Sequence, residues 1–308
     1  MTKLELGHEG KTFLGEAGLK HETPMKQILT LITIYLLAPF TIRGEAPGNA
    51  ASKQLLFIHD SAAVAEPLIE FLKVKGEFTT TAVDQAHLPA DWAGYRAVLG
   101  YVHGRLLEPT ELAIIDYTKH GGHFVALHHM ISSGKAENQH YFKFLGIQLD
   151  SPKESPKEVA PGAGYGWYNG PKNPEKIESG ITYMLVKLHP THFIVTHDIT
   201  WGVPIAYQSS DVLAVPAEYP AIVLPRAEAY MNHKFTDGRA KTVLCGMKYT
   251  DPRNGSVFEQ DRMAWFKDYG AGRIFYFQPG HFIEEYQDLN ICQMILNAIV
   301  WDGSSVGH

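Results

Sequence analysis

The stretch from Lys119 to His129 constrains this chain more than any other. It reads Lys-His-Gly-Gly-His-Phe-Val-Ala-Leu-His-His. A helical pattern runs into Gly121-Gly122, and glycine accepts the positive φ of a helix C-terminal cap. His123 to Leu127 follows as a short, mostly apolar run, the pattern of a buried central strand. The run ends on His128-His129. In open α/β sheets, ligands bind just beyond the carboxyl ends of the strands. Two imidazoles are therefore expected where such a sheet does its chemistry.

The flanking sequence supplies further layers. Gln54 to His59 reads as a strand, followed by an amphipathic helix over 62–74 with Val64, Leu68, Phe71 and Leu72 on one face and Pro67 in its first turn. Strands are expected at 78–83 and 97–102, a helix at 109–120 opening on Pro109, and a short helix at 138–145. Strand patterns recur at 182–188, 212–215, 221–224, 241–249, 263–266 and 273–277, and a helix capped by Asp288 closes the chain at 288–301. This alternation predicts an α/β layered fold around a mostly parallel sheet. Residues 151–174, rich in Pro, Gly, Lys and Glu, are expected to be a loop. Its Tyr165 and Trp167 are candidates either for stacking on a sugar or for a hydrophobic tuck that pins the loop.

Three blocks carry a resemblance to a known family. Gly121-Gly122, the apolar strand and Leu127-His128 form the first. Tyr269-Gly270-Ala271-Gly272-Arg273-Ile274-Phe275-Tyr276 with Pro279-Gly280-His281 forms the second. His197-Asp198-Ile199-Thr200-Trp201-Gly202-Val203-Pro204 forms the third, with Asp198 where the family pattern has proline. Together they resemble the ThuA-like, trehalose-utilisation family. The resemblance implies a flavodoxin-like, class I glutamine amidotransferase-like three-layer sandwich over 52–303. It also implies a role in sugar utilisation, with disaccharides or their keto derivatives as the substrate class.

Where an amidotransferase carries a nucleophilic Cys after the central strand, this chain has His128, so glutaminase chemistry is not expected. Ser132 and Ser133 lie nearby without a Gly-x-Ser-x-Gly frame. The candidate site is therefore built from histidines. His128 and His281 are expected as catalytic residues, His129, Tyr165 and Trp167 as substrate contacts, and His128, His197 and His281 as ligands of a divalent metal, zinc first among them. The same imidazoles could instead serve as general acid and base, or be structural. His59 and His103 end neighbouring strands and could line the same cleft. His189 and His192 are looser candidates. Arg273 either pairs a carboxylate or fixes a loop, and Asp211 and Glu218 are weak acid candidates. Hydrolysis, elimination or isomerisation of a sugar is the expected chemistry; a non-catalytic sugar- or partner-binding domain is the alternative.

Composition narrows the partners. A net charge of −6 without a basic stripe argues against nucleic acid. Gly162-Ala163-Gly164-Tyr165-Gly166-Trp167 has no strand before it and a misplaced third glycine, so NAD is not expected. Cys245 and Cys292 sit in apolar runs and read as buried free thiols, with one disulfide in an exported protein as the alternative. Lys26, the apolar run 27–38 and Gly44-Glu45-Ala46 read as a signal peptide over 25–46, after an upstream extension of 1–24. Export to the periplasm or exterior is thus expected, with no membrane span after processing. An uncleaved, membrane-anchoring signal is the alternative. A homo-oligomer is compatible with the sequence.

Overall fold

In β4 (His123–Leu127) every second side chain faces the same way, as the two-residue period of a strand requires. Phe124 and Ala126 enter one apolar core, Val125 and Leu127 another. β1 (Gln54–His59) divides in the same manner, with Leu56 and Ile58 on the first side and Leu55 and Phe57 on the second. A strand buried on both faces needs helices on both faces, and the chain provides them. The computed structural model describes residues 51–149, 180–208, 215–237, 241–252 and 254–303, with the backbone of 166–168. The expected extension and signal peptide, the side chains of Tyr165 and Trp167, most of the 151–174 loop, Asp211 and most of the expected 212–215 strand lie outside these residues.

α1 (Glu66–Gly76) and α6 (Leu289–Val300) cover one face; α2 (Glu108–Lys119) and α3 (Tyr141–Leu145) cover the other. Pro67 and Pro109 lie in the first turns of α1 and α2. The Asp288 side chain caps α6 by accepting the N–H of Asn290 at 2.8 Å. The remaining elements are β2 (Thr79–Val83), β3 (Ala97–Tyr101), β5 (Ile147–Gln148), β6 (Gly166–Tyr168), β7 (Ile181–Lys187), α4 (Phe193–Thr196), β8 (Pro204–Tyr207), β9 (Ala217–Ala227), β10 (Ala229–Met231), β11 (Lys234–Phe235), β12 (Thr242–Thr250), β13 (Val257–Tyr269), β14 (Gly272–Phe277) and α5 (Ile283–Gln287).

The main sheet has ten strands in the order β2-β1-β3-β4-β14-β13-β12-β7-β9-β8. From β2 to β14 every pairing is parallel. This parallel core and its two helical layers form the flavodoxin-like, amidotransferase-like sandwich. Beyond β14 every pairing is antiparallel. Gly270, with φ +61°, and Ala271 make the whole connection between β13 and β14. So short a link makes a hairpin, because a parallel crossover needs a dozen residues or more. The direction of each strand in this half decides which edge its end reaches. β9 runs with β4 and β14, whereas β7 runs against them. Both cysteines are free and buried.

Candidate functional site

Leu127 of β4 lies beside Phe277 of β14 in parallel register, so the residues just past both strands emerge side by side. His128 follows Leu127 with φ +37°, a left-handed conformation that costs a non-glycine residue energy. It opens a short 3-10 turn, His128–Ile131, and is fully buried. Its Nδ1 lies 2.6 Å from the carbonyl oxygen of Gln278, just past β14. A carbonyl only accepts, so Nδ1 carries the proton and Nε2 presents its lone pair.

That lone pair faces two other polar atoms. Nε2 of His128 is 3.1 Å from Glu228 Oε2 and 3.1 Å from His281 Nδ1, and Glu228 Oε2 is 3.0 Å from His281 Nδ1. Glu228 stands between β9 and β10, flanked by buried Ala227 and Ala229, and is itself buried. Burial pushes its carboxyl up, but the two imidazoles together outweigh burial and hold it down at about 2. Burial keeps the His128 imidazole neutral. One proton on His281 Nδ1 then serves both acceptors. In its place a metal ion would meet lone pairs from three directions.

His129 completes the group. Its Nδ1 is 2.9 Å from the Tyr230 hydroxyl, so Nε2 is the atom it can offer. Its ring centroid lies 4.3 Å from that of His128 and 5.3 Å from that of His281. Burial, then the neighbouring His128 and His103, push its imidazole far below the usual range. One ligand atom each from His128, His129, Glu228 and His281 all fall within 4.8 Å of one another. Tetrahedral zinc with ligands at ~2.0–2.1 Å spaces its donors ~3.3 Å apart. The separations of 3.0–3.1 Å lie close to that spacing, so the group could hold a metal.

A second buried carboxylate backs His281. Glu285 accepts the N–H groups of His281 at 2.8 Å and Phe282 at 3.1 Å. Burial outweighs these bonds and pushes its carboxyl up to about 8, with ionised Glu228 adding to the rise. Two carboxylates in one neighbourhood are thus driven apart, one ionised and one protonated.

His128, His129 and His281 therefore meet. His197 does not join them, which corrects the expected ligand set. Its ring stacks on Phe193 at 4.6 Å, its side chain is 53% exposed, and its nearest carboxylate is Asp198 at 3.9 Å. The reason is strand direction: β7 runs against β4 and β14, so the segment after it emerges at the opposite edge. His192 lies there too, packed on Trp301 and Phe266, as does Arg273, which pairs with Asp268 and covers the Trp301 ring. β9 runs with the parallel strands and delivers Glu228 to the cluster edge. Glu218 is exposed and does not join the cluster, and Asp211 lies outside the described residues. Ser132 is buried and donates to the His103 carbonyl. Cys245 is buried within β12, and burial pushes its thiol up.

Glu228 was the residue hardest to foresee. Its signal is a carboxylate between two alanines at the end of a β-pattern, in Arg226-Ala227-Glu228-Ala229-Tyr230. A charge there has no solvent face to occupy.

Among the described residues, no helix is long and apolar enough to cross a membrane. No curated protein sequence matches this chain. Among solved structures, a ThuA-like protein from Bacteroides uniformis is 18% identical with a TM-score of 0.49, over 83% of this chain and 92% of that one. The carbohydrate deacetylase Agd3 is 11% identical with a TM-score of 0.47, over 81% of this chain and 32% of that one, so this chain spans about a third of its length. A glutamine amidotransferase from Thermotoga maritima is 10% identical with a TM-score of 0.39, over 80% of this chain and 96% of that one. The family model for trehalose utilisation, ThuA, matches residues 51–302, and the chain belongs to that family.

Proposed function

We propose that this is an exported protein of carbohydrate metabolism that acts on a sugar or keto-sugar at the His128–His129–Glu228–His281 cluster, with zinc as the bound ion. The observation that carries the reading is the convergence of Nε2 of His128, Oε2 of Glu228 and Nδ1 of His281 at 3.0–3.1 Å. Membership of the trehalose-utilisation family supports the sugar. A divalent ion held by these donors would polarise a carbonyl or hydroxyl of the substrate.

The chain's own residues have separable tasks. The Gln278 carbonyl fixes the tautomer and direction of His128, the outer hydrogen bond that orients a ligating imidazole. The Tyr230 hydroxyl does the same for His129. Ionised Glu228 balances positive charge in a buried place. His281, the only partly exposed member of the group, faces incoming ligand, and its Nε2, which the ion does not use, can do acid–base work.

Elemental analysis of the purified chain tests the reading, with about one zinc per chain expected. His281→Ala and Glu228→Gln should each weaken zinc binding on the order of 100-fold and abolish turnover of trehalose or its keto derivative. Protein that takes up no divalent ion, or variants that bind it as wild type does, would refute the site. Sugar binding without turnover in wild type would leave the non-catalytic binding domain as the function.

A further inference from the structure

Lys135 is fully buried, yet it makes no ion pair with a carboxylate among the described residues. Its Nζ donates instead to the carbonyls of Val102 at 2.5 Å, Gly104 at 2.9 Å and His129 at 2.9 Å, and touches the His103 carbonyl at 3.3 Å. Burying an ammonium is costly unless its donors are all used. These carbonyls come from the ends of β3 and β4, so one cation ties together the two loops that carry His103 and His129.

The His103 peptide is pinned from both sides. Asp60, just past β1, accepts its N–H at 2.6 Å, and the Ser132 hydroxyl donates to its carbonyl. Its side chain is nonetheless exposed. The ring rests on His129 at 4.4 Å with a tilt of 34°, and His129 in turn lies 5.3 Å from His281. Exposed loop side chains ordinarily lack such a frame. Here three side chains hold the backbone of a residue whose imidazole stays open to solvent, beside the cluster. Asp60 is also exposed, so a carboxylate and an imidazole stand together at the surface beside His129 of the cluster. An acceptor beside a group that both donates and accepts suits neighbouring hydroxyls of a neutral polyol, and the negative charge disfavours anions.

We propose that His103, with Asp60, is a further ligand-binding residue of this site that hydrogen-bonds sugar hydroxyls, and that Lys135 is its positioning residue. The inference rests on the proposed function and deepens it, by separating the groups that bind sugar from those that bind the ion.

The test measures cobalt binding, by visible absorption, and steady-state turnover of trehalose and its keto derivative in wild type, His103→Ala and Lys135→Met. His103→Ala should keep the wild-type cobalt spectrum and stoichiometry while KM rises about tenfold or more and kcat changes less. Lys135→Met should reproduce the rise in KM. If that variant loses its cooperative melt, Ser132→Ala, which removes the other side-chain donor to the His103 carbonyl, takes its place. A KM within about twofold of wild type in His103→Ala overturns the assignment even where the cobalt site stands. An altered cobalt spectrum in His103→Ala overturns it too, because the residue would then belong to the ion's shell. Wild type that turns over neither sugar sinks the proposed function, and this inference with it.

Discussion

At the scale of single residues, the site is governed by where each charge is allowed to reside. Glu228 and Glu285 are both buried carboxylates, yet only Glu228 has two imidazoles to oppose the cost of burial. Glu285 has no charged partner, only backbone N–H groups and the Tyr183 hydroxyl at 3.5 Å, and stays protonated up to about pH 8. Its folded value lies above the ordinary 4.5, so the folded chain keeps a proton there that the unfolded chain has lost. Its contribution to stability is therefore complete below the unfolded value and is lost as the pH rises through about 8. Glu285→Gln keeps an acceptor for the His281 and Phe282 N–H groups and never ionises. Thermal melts from roughly pH 5 to pH 9 should show wild type losing stability, relative to the variant, up to about pH 8 and levelling off above it. Parallel curves would mean that Glu285 is ionised in the folded chain. The same residue scale explains what could be read in advance. His128 and His281 end runs with clear strand patterns, and a polar residue at a strand end is visible in a string of letters. The partner of a buried carboxylate is not, because burial depends on what the rest of the chain places over it.

At the scale of elements, close approach of backbones sets the geometry that brings β4 and β14 together. A Cβ on Gly272, the first residue of β14, would lie 2.2 Å from the Thr118 carbonyl oxygen and 2.3 Å from that of Gly122. Both are backbone atoms and cannot rotate aside. Gly272→Ala is expected to cost about 3 kcal/mol or more. Gly94→Ala, at a position with nothing within 4 Å of the added carbon, should stay within about 0.5 kcal/mol of wild type. Chemical denaturation of the two variants checks the contrast, and equal midpoints would show that the β14 entry is looser than described. Strand existence was legible from the β-patterns: β1 and β4 have the expected bounds. Strand direction was not, since a two-residue period looks the same up or down. The signal lay in the links. Gly270-Ala271 is too short for a crossover, and reading it that way would have turned β13 against β14. β7 pairs with β12 and β9, neither joined to it by a hairpin, so its direction, and with it the place of His197, was not legible.

At the scale of the whole molecule, the described fold begins at residue 51, and the signal-like sequence before it makes a separate prediction. Protein expressed from Met25 in a secreting host should be recovered with its N-terminus near Ala46. N-terminal sequencing decides this, and a mature chain that begins at Met25 would contradict export. The folded part has a further property that bears on this. His128 meets Glu228 across 100 positions of sequence, and meets Gln278 and His281 across 150 and 153. No early portion of the chain contains the set. A ribosome must deliver residue 281 before the last donor exists, and β14 must dock beside β4 before that donor is in reach. A metal ion bound at this site would consequently be selected by the compartment in which the chain finishes folding, from the metals free there. For donors of mixed nitrogen and oxygen type, copper outcompetes zinc wherever both are available. The address on the protein would thus choose its metal as much as the side chains do.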